Sequence, residues 1–101
     1  MNPRTIEALE ETRDQLFNAV ERKVATKYET VKDSVKEEVL DGVRYYLRIL
    51  VERMSQDDYA DPNFENSVDY QLVHSFENYF WDWFNETFSE RRINEMNEKA
   101  N

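Results

Sequence analysis

A chain of 101 residues with no cysteine and a net charge of −9 makes a single domain, and it excludes a disulfide framework or a thiolate metal site. With one Gly and two Pro, it also lacks the turn residues that an all-β fold requires. The expected architecture is all-α: a small bundle of three or four helices, or a long helical hairpin that dimerises.

The first helix starts at Asn2-Pro3, an Asn cap followed by proline at the first helical position. No Pro or Gly interrupts the chain from Arg4 to Asp41. Apolar residues recur at steps of three and four through Ile6, Leu9, Leu16, Phe17, Val20, Val24, Tyr28, Val31, Val35 and Val39. The stripe continues through Val43, Tyr46, Leu47, Leu50 and Met54, the pattern of one amphipathic face. As one helix, residues 3–54 would run about 75 Å at 1.5 Å per residue, so a compact domain folds the segment back on itself. Three places suit the break: the capping-box patterns Thr26-x-x-Glu29 and Ser34-x-x-Glu37, and Asp41-Gly42. Helices over about 3–25 and 29–54 are expected. An acidic loop follows over 55–63, marked by Asp61-Pro62. A final helix is expected over about 64–98, with Arg91, Arg92 and Lys99 toward its C-terminal end, where positive charge suits the helix dipole.

That last helix is unusually aromatic, with Phe76, Tyr79, Phe80, Trp81, Trp83, Phe84 and Phe88 close together. At 100° per residue, Val68, Leu72, Phe76, Tyr79, Phe80 and Trp83 share one face, and Tyr70, Val73, Trp81, Phe84 and Phe88 form an adjacent stripe. The combined apolar arc covers roughly 220°, against about 100° for a one-sided surface helix. Such a helix needs cover on two sides. Either two neighbouring helices of the same chain supply it, or the stripe of Trp81 and Phe88 is a partner or self-association surface.

Charge is distributed as unevenly as the aromatics. Between Met54 and Glu90 stand nine acidic residues, namely Asp57, Asp58, Asp61, Glu65, Asp69, Glu77, Asp82, Glu86 and Glu90, and no Lys or Arg. The rest of the chain is balanced, so the entire net charge comes from this stretch. A field of one sign repels phosphate and anionic membrane and attracts basic surfaces. Direct nucleic-acid binding and membrane binding are therefore not expected. An acidic surface also serves solubility alone, which is the plain reading of the block. The functional reading is that carboxylates on a rigid helix take the place of phosphates in a basic channel. The candidate partner-binding set is Asp57, Asp58, Asp61, Glu65, Glu77, Trp81, Asp82, Glu86, Phe88 and Glu90.

Catalysis finds little to work with. His74 is the one histidine, and its spacing to Glu77 is that of an ordinary surface pair on a helix. No metal site is expected, because there is no Cys, one His, and no EF-hand spacing around Asp57-Asp58-x-x-Asp61. One Gly rules out a glycine-rich phosphate loop, so no cofactor is expected either. Neither a signal-peptide pattern nor an apolar run of roughly 18–20 residues is present, and a cytoplasmic protein is expected. In size, charge and want of catalytic residues, the chain resembles the small acidic proteins with which phages and mobile elements block host defence or DNA-processing enzymes. That resemblance implies a non-enzymatic inhibitor or DNA mimic acting on a protein with a basic, nucleic-acid-binding surface. The alternative is a structural module in which the aromatic helix packs across a homodimer.

Overall fold

The computed structural model describes residues 3–27, 29–56 and 68–100. Among these residues there are four helices and no strand: α1 (Pro3–Lys27), α2 (Asp33–Gln56), α3 (Tyr70–Thr87) and α4 (Glu90–Lys99). The protein is a small all-α helical bundle. Helices α1 and α2 form an antiparallel hairpin. Helix α3 packs against both, running parallel to α1, and α4 continues its course along the first half of α2. Near-parallel packing makes the molecule a rod of 54 × 19 × 16 Å, with a radius of gyration of 15.9 Å. A rounder domain of this length would have a radius of about 13 Å.

The hairpin breaks close to the first of the three expected places, a few residues later than the expected bounds of 25 and 29, and without either capping box. Thr26 lies inside α1, where its hydroxyl donates to the Arg22 carbonyl at 2.8 Å. Ser34 lies inside the first turn of α2. The turn falls between them. The Lys32 carbonyl starts α2 by accepting from the amides of Val35 and Lys36 at 3.0 and 3.1 Å, and Asp33 puts a carboxylate in the first turn, where the helix dipole favours it.

The core forms where small side chains meet large ones. Helix α2 buries Val35, Val39, Val43, Leu47, Leu50, Val51 and Met54. Helix α1 buries Leu9, Leu16, Val20 and Val24, with Thr5 and Thr12 completing the column. Three rings of α3, Phe76, Phe80 and Phe84, spaced one turn apart and at most 1% exposed, complete this core. Each ring so buried contributes about 2–3 kcal/mol relative to exposure. Thr5 and Thr12 were not legible as core because they are polar. Both are satisfied: the Thr12 hydroxyl donates to the Ala8 carbonyl at 2.7 Å, and Thr5 Oγ1 accepts the Asp69 amide at 3.2 Å.

The third segment is not one helix to residue 98, as the periodicity predicted. Phe88 closes α3 by donating its amide to the Phe84 carbonyl, leaving the helical region at φ −117°, ψ 51°. Ser89 then caps α4, its hydroxyl accepting the Arg92 amide at 3.2 Å. The break turns the Phe88 ring onto Gly42 in the middle of α2. There a Cβ would lie 2.9 Å from Phe88 Cζ and 3.3 Å from Cε2. Gly42 is therefore a seat for a ring and not the turn its position beside Asp41 suggested. Beyond it, Lys32 holds the end of α4: its amide donates to Asn97 Oδ1 at 2.8 Å, and its ammonium donates to the Ala100 carbonyl.

This seat has a measurable signature. Alanine is favoured over glycine by about 1 kcal/mol inside a helix, but here its methyl collides with Phe88, and overpacking costs about 1–3 kcal/mol. Gly42→Ala should destabilise the protein in urea melts. In a Phe88→Ala background the same change should become stabilising, by about 1 kcal/mol. A Gly42→Ala effect that is identical in both backgrounds would show that Phe88 does not occupy this seat.

Candidate functional site

The phenylalanines and tryptophans of the aromatic arc of α3 are covered by the protein's own helices, whereas Tyr70 and Tyr79, expected in the same arc, are 70% and 57% exposed. Trp83 reaches toward α2, where its ring stacks on Tyr46 with centroids 4.0 Å apart and planes 5° from parallel. Trp81 reaches the other way, toward α1. It packs edge-on against Phe80 at 5.0 Å and Phe84 at 5.8 Å, and the Lys23 ammonium sits 5.8 Å from its centroid and 5.3 Å from that of Phe84. Phe88 contacts Trp83 at 5.6 Å and Phe84 at 5.9 Å in addition to its seat on Gly42. The two rings expected at a partner surface, Trp81 and Phe88, thus serve packing inside the chain and remain half-buried.

What α3 turns outward is polar and acidic. Tyr79, Asp82 and Glu86 follow one another at i, i+3 and i+7 on a single exposed ridge, and Tyr79 is 57% exposed. Asp82 and Glu86 stand one turn apart, a rise of about 6 Å. Glu77 lies on the flank facing α1 and is partly buried, while Glu90 is exposed in the first turn of α4. Among the described residues none of these four carboxylates has a cationic partner; the ion pairs are Arg13–Asp14, Arg44–Asp41 and Arg91–Glu95. Asp69, a member of the same acidic stretch, has a local task as the N-cap of α3, accepting the Leu72 amide at 3.1 Å. Asp57, Asp58, Asp61 and Glu65 lie outside the described residues.

The remaining chemistry is sparse. No group of three or more His, Asp or Glu among the described residues is placed to hold a metal ion. No helix among them is long and apolar enough to cross a membrane. His74 is exposed on α3, on its polar side.

Burial pushes the Tyr46 phenol above its ordinary value of 10.0, with the Arg53 guanidinium pulling the other way. The folded protein therefore prefers the neutral phenol. Stability from this preference is complete below pH 10 and declines as pH rises through the higher folded-state value. Urea melts between about pH 8 and 11 should show the wild type losing stability relative to Tyr46→Phe, because the other tyrosines are common to both. A gap that stays constant across this range would place Tyr46 in water.

No protein-family model matches the chain, and no curated protein and no solved structure matches it either.

Proposed function

We propose that the protein is a non-enzymatic binding protein whose acidic face occupies a basic, nucleic-acid-binding surface of a partner protein, as an inhibitor or DNA mimic would. The observation that carries this reading is the exposed ridge of Tyr79, Asp82 and Glu86, with no cation paired to either carboxylate among the described residues. The ridge is held by a helix whose opposite side is locked in aromatic packing, so its carboxylates keep their relative positions when a partner approaches. Preorganisation of this kind lowers the entropy cost of binding.

The charge density sets the scale of the mimicry. A DNA duplex carries one negative charge per about 1.7 Å of axis, and a single strand one per about 3.4 Å. Asp82 and Glu86 supply one per about 6 Å of helix, nearer to alternate phosphates of one strand than to a full duplex. Electrostatics of this strength chiefly speeds association and selects the partner, and the exposed Tyr79 ring supplies an apolar anchor that slows release. The homodimer built across Trp81 and Phe88 has less to recommend it, since those rings already have partners inside the chain.

The test is capture from lysate on immobilised protein with elution by rising salt, repeated with the variant Asp82→Lys, Glu86→Lys, Glu90→Lys. All three sites are exposed, and circular dichroism checks that the variant keeps its helices. The wild type should retain a nucleic-acid-binding protein that leaves the column at roughly 0.1–0.5 M salt. The variant should retain at least about tenfold less of it, and the free wild-type protein should displace DNA from that partner. Retention unaffected by the charge reversal would overturn the reading.

A further inference from the structure

Opposite the acidic ridge, the α1–α2 hairpin has a second surface of contrary character. Arg13, Asp14, Phe17 and Asn18 of α1 and Arg44 and Leu47 of α2 line an open groove of about 500 Å³. It lies on the flank away from α3: on α2, Arg44 is roughly 160° around the helix from Tyr46, which faces α3. Among the described residues, no further helix lies over it. Its floor is apolar, with Leu47 at 1% exposure beside the partly buried Phe17. Its rims carry two arginines, Arg13 and Arg44, each beside an aspartate, Asp14 and Asp41. The Arg44 guanidinium lies 4.9 Å from the Phe17 ring centroid, and one turn further along α2 the Arg48 guanidinium lies 5.3 Å from that of Tyr45, which is 59% exposed.

We infer that this groove receives the acidic ridge of a second copy of the chain. The complementarity is present on both sides. The ridge offers two carboxylates one turn apart with an aromatic ring beside them; the groove offers Arg44 with Arg13 across from it and an apolar floor of Phe17 and Leu47, and Arg48 stands one turn beyond its lining. The present partners of two of these arginines are weak competitors. Arg13–Asp14 at 3.0 Å and Arg44–Asp41 at 2.9 Å are solvent-exposed pairs within one helix, and such pairs contribute about 0–1 kcal/mol. A carboxylate arriving with a ring that covers Phe17 excludes water from the new pair and strengthens it.

The geometry also decides the kind of assembly. Ridge and groove are different surfaces, so the contact is head-to-tail and repeats from copy to copy, giving an open row or a ring instead of a twofold dimer. The net charge of −9 opposes association most strongly at low salt, where the screening length is about 30 Å at 0.01 M. At 0.15 M it falls to about 8 Å, which quiets the overall repulsion while close pairs persist. Each copy that docks covers Asp82 and Glu86 of one molecule, so the assembly hides the same ridge that the proposed partner would use. The inference nonetheless stands without that partner, because both surfaces belong to this chain.

The experiment uses purified protein alone, by sedimentation velocity at 0.15 M salt. One variant neutralises the groove (Arg13→Gln with Arg44→Gln), and the other neutralises the ridge (Asp82→Asn with Glu86→Gln). Circular dichroism confirms that each retains its helices. The wild type should grow in mass with concentration toward about 1 mM, the range of a weak contact, and each variant alone should stay monomeric. Mixed together, the two should form a 1:1 complex and nothing larger, because one working ridge then meets one working groove and neither end can extend. A wild type that stays monomeric up to about 1 mM overturns the inference. So does a variant that associates as the wild type does, or a mixture that stays monomeric.

Discussion

The structure depends on one helix wedged between two others. Three phenylalanines of α3, one turn apart and at most 1% exposed, enter the hairpin between α1 and α2. Interiors pack at the density of organic crystals, so a column of large rings has to be met by apolar side chains from both helices. This wedge accounts for the wide apolar arc of α3. A helix that sits between two others needs a flank for each, and Trp81 and Trp83 are those flanks, one turned to α1 beneath Lys23 and one stacked on Tyr46 of α2.

The same wedge explains the break at Phe88. The contacts of α2 with the third segment run nearly one for one in antiparallel order, from Tyr46 with Trp83, through Gly42 with Phe88, to Lys32 with Asn97. Helix α4 therefore keeps the course of α3 although the chain leaves the helical region between them. What changes at the break is the rotation of the chain about its axis. Phe88 comes to rest on Gly42, and Ile93, buried to 1%, takes over as the apolar contact of the last segment. The single glycine of the sequence is spent on this contact.

Polarity follows from packing. Once the phenylalanines and tryptophans of α3 are committed inward, its outer side is left to Tyr70, Tyr79, Asp82 and Glu86, with His74 and Asn78 alongside. Three cations of the hairpin lie over rings, Lys23 over those it helps to cover, Arg44 over Phe17 and Arg48 over Tyr45. Asp82 and Glu86 thus stand on one side of the rod and arginines over aromatic rings on another. Both the proposed partner surface and the proposed self-association arise from that division, which sequence composition registers only as a net charge.

The sequence by itself determined the helical class, the amphipathic stripe of the hairpin, the acidity of the third segment and its need for cover on two sides. These are local or additive properties, carried by 3.6-residue periodicity, by propensity and by counting charge. Only the tertiary structure decided where helices end and which flank meets which neighbour. The capping patterns at Thr26 and Ser34 lost to a turn at Lys32, because that residue is also tied to Asn97 and Ala100, far along the chain. Thr5 and Thr12 join the core although polar, since their hydroxyls find an amide and a carbonyl that composition cannot show. Ser89 followed by Glu90 was a legible cap signal, hidden by the aromatic periodicity running across it. For Trp81 and Phe88 the sequence left open cover by the chain's own helices or by a partner, and Lys23, Phe84 and Gly42 beside them supply cover from within the chain. Whether a ring is spare depends on contacts between distant residues, and that information exists only in the folded chain.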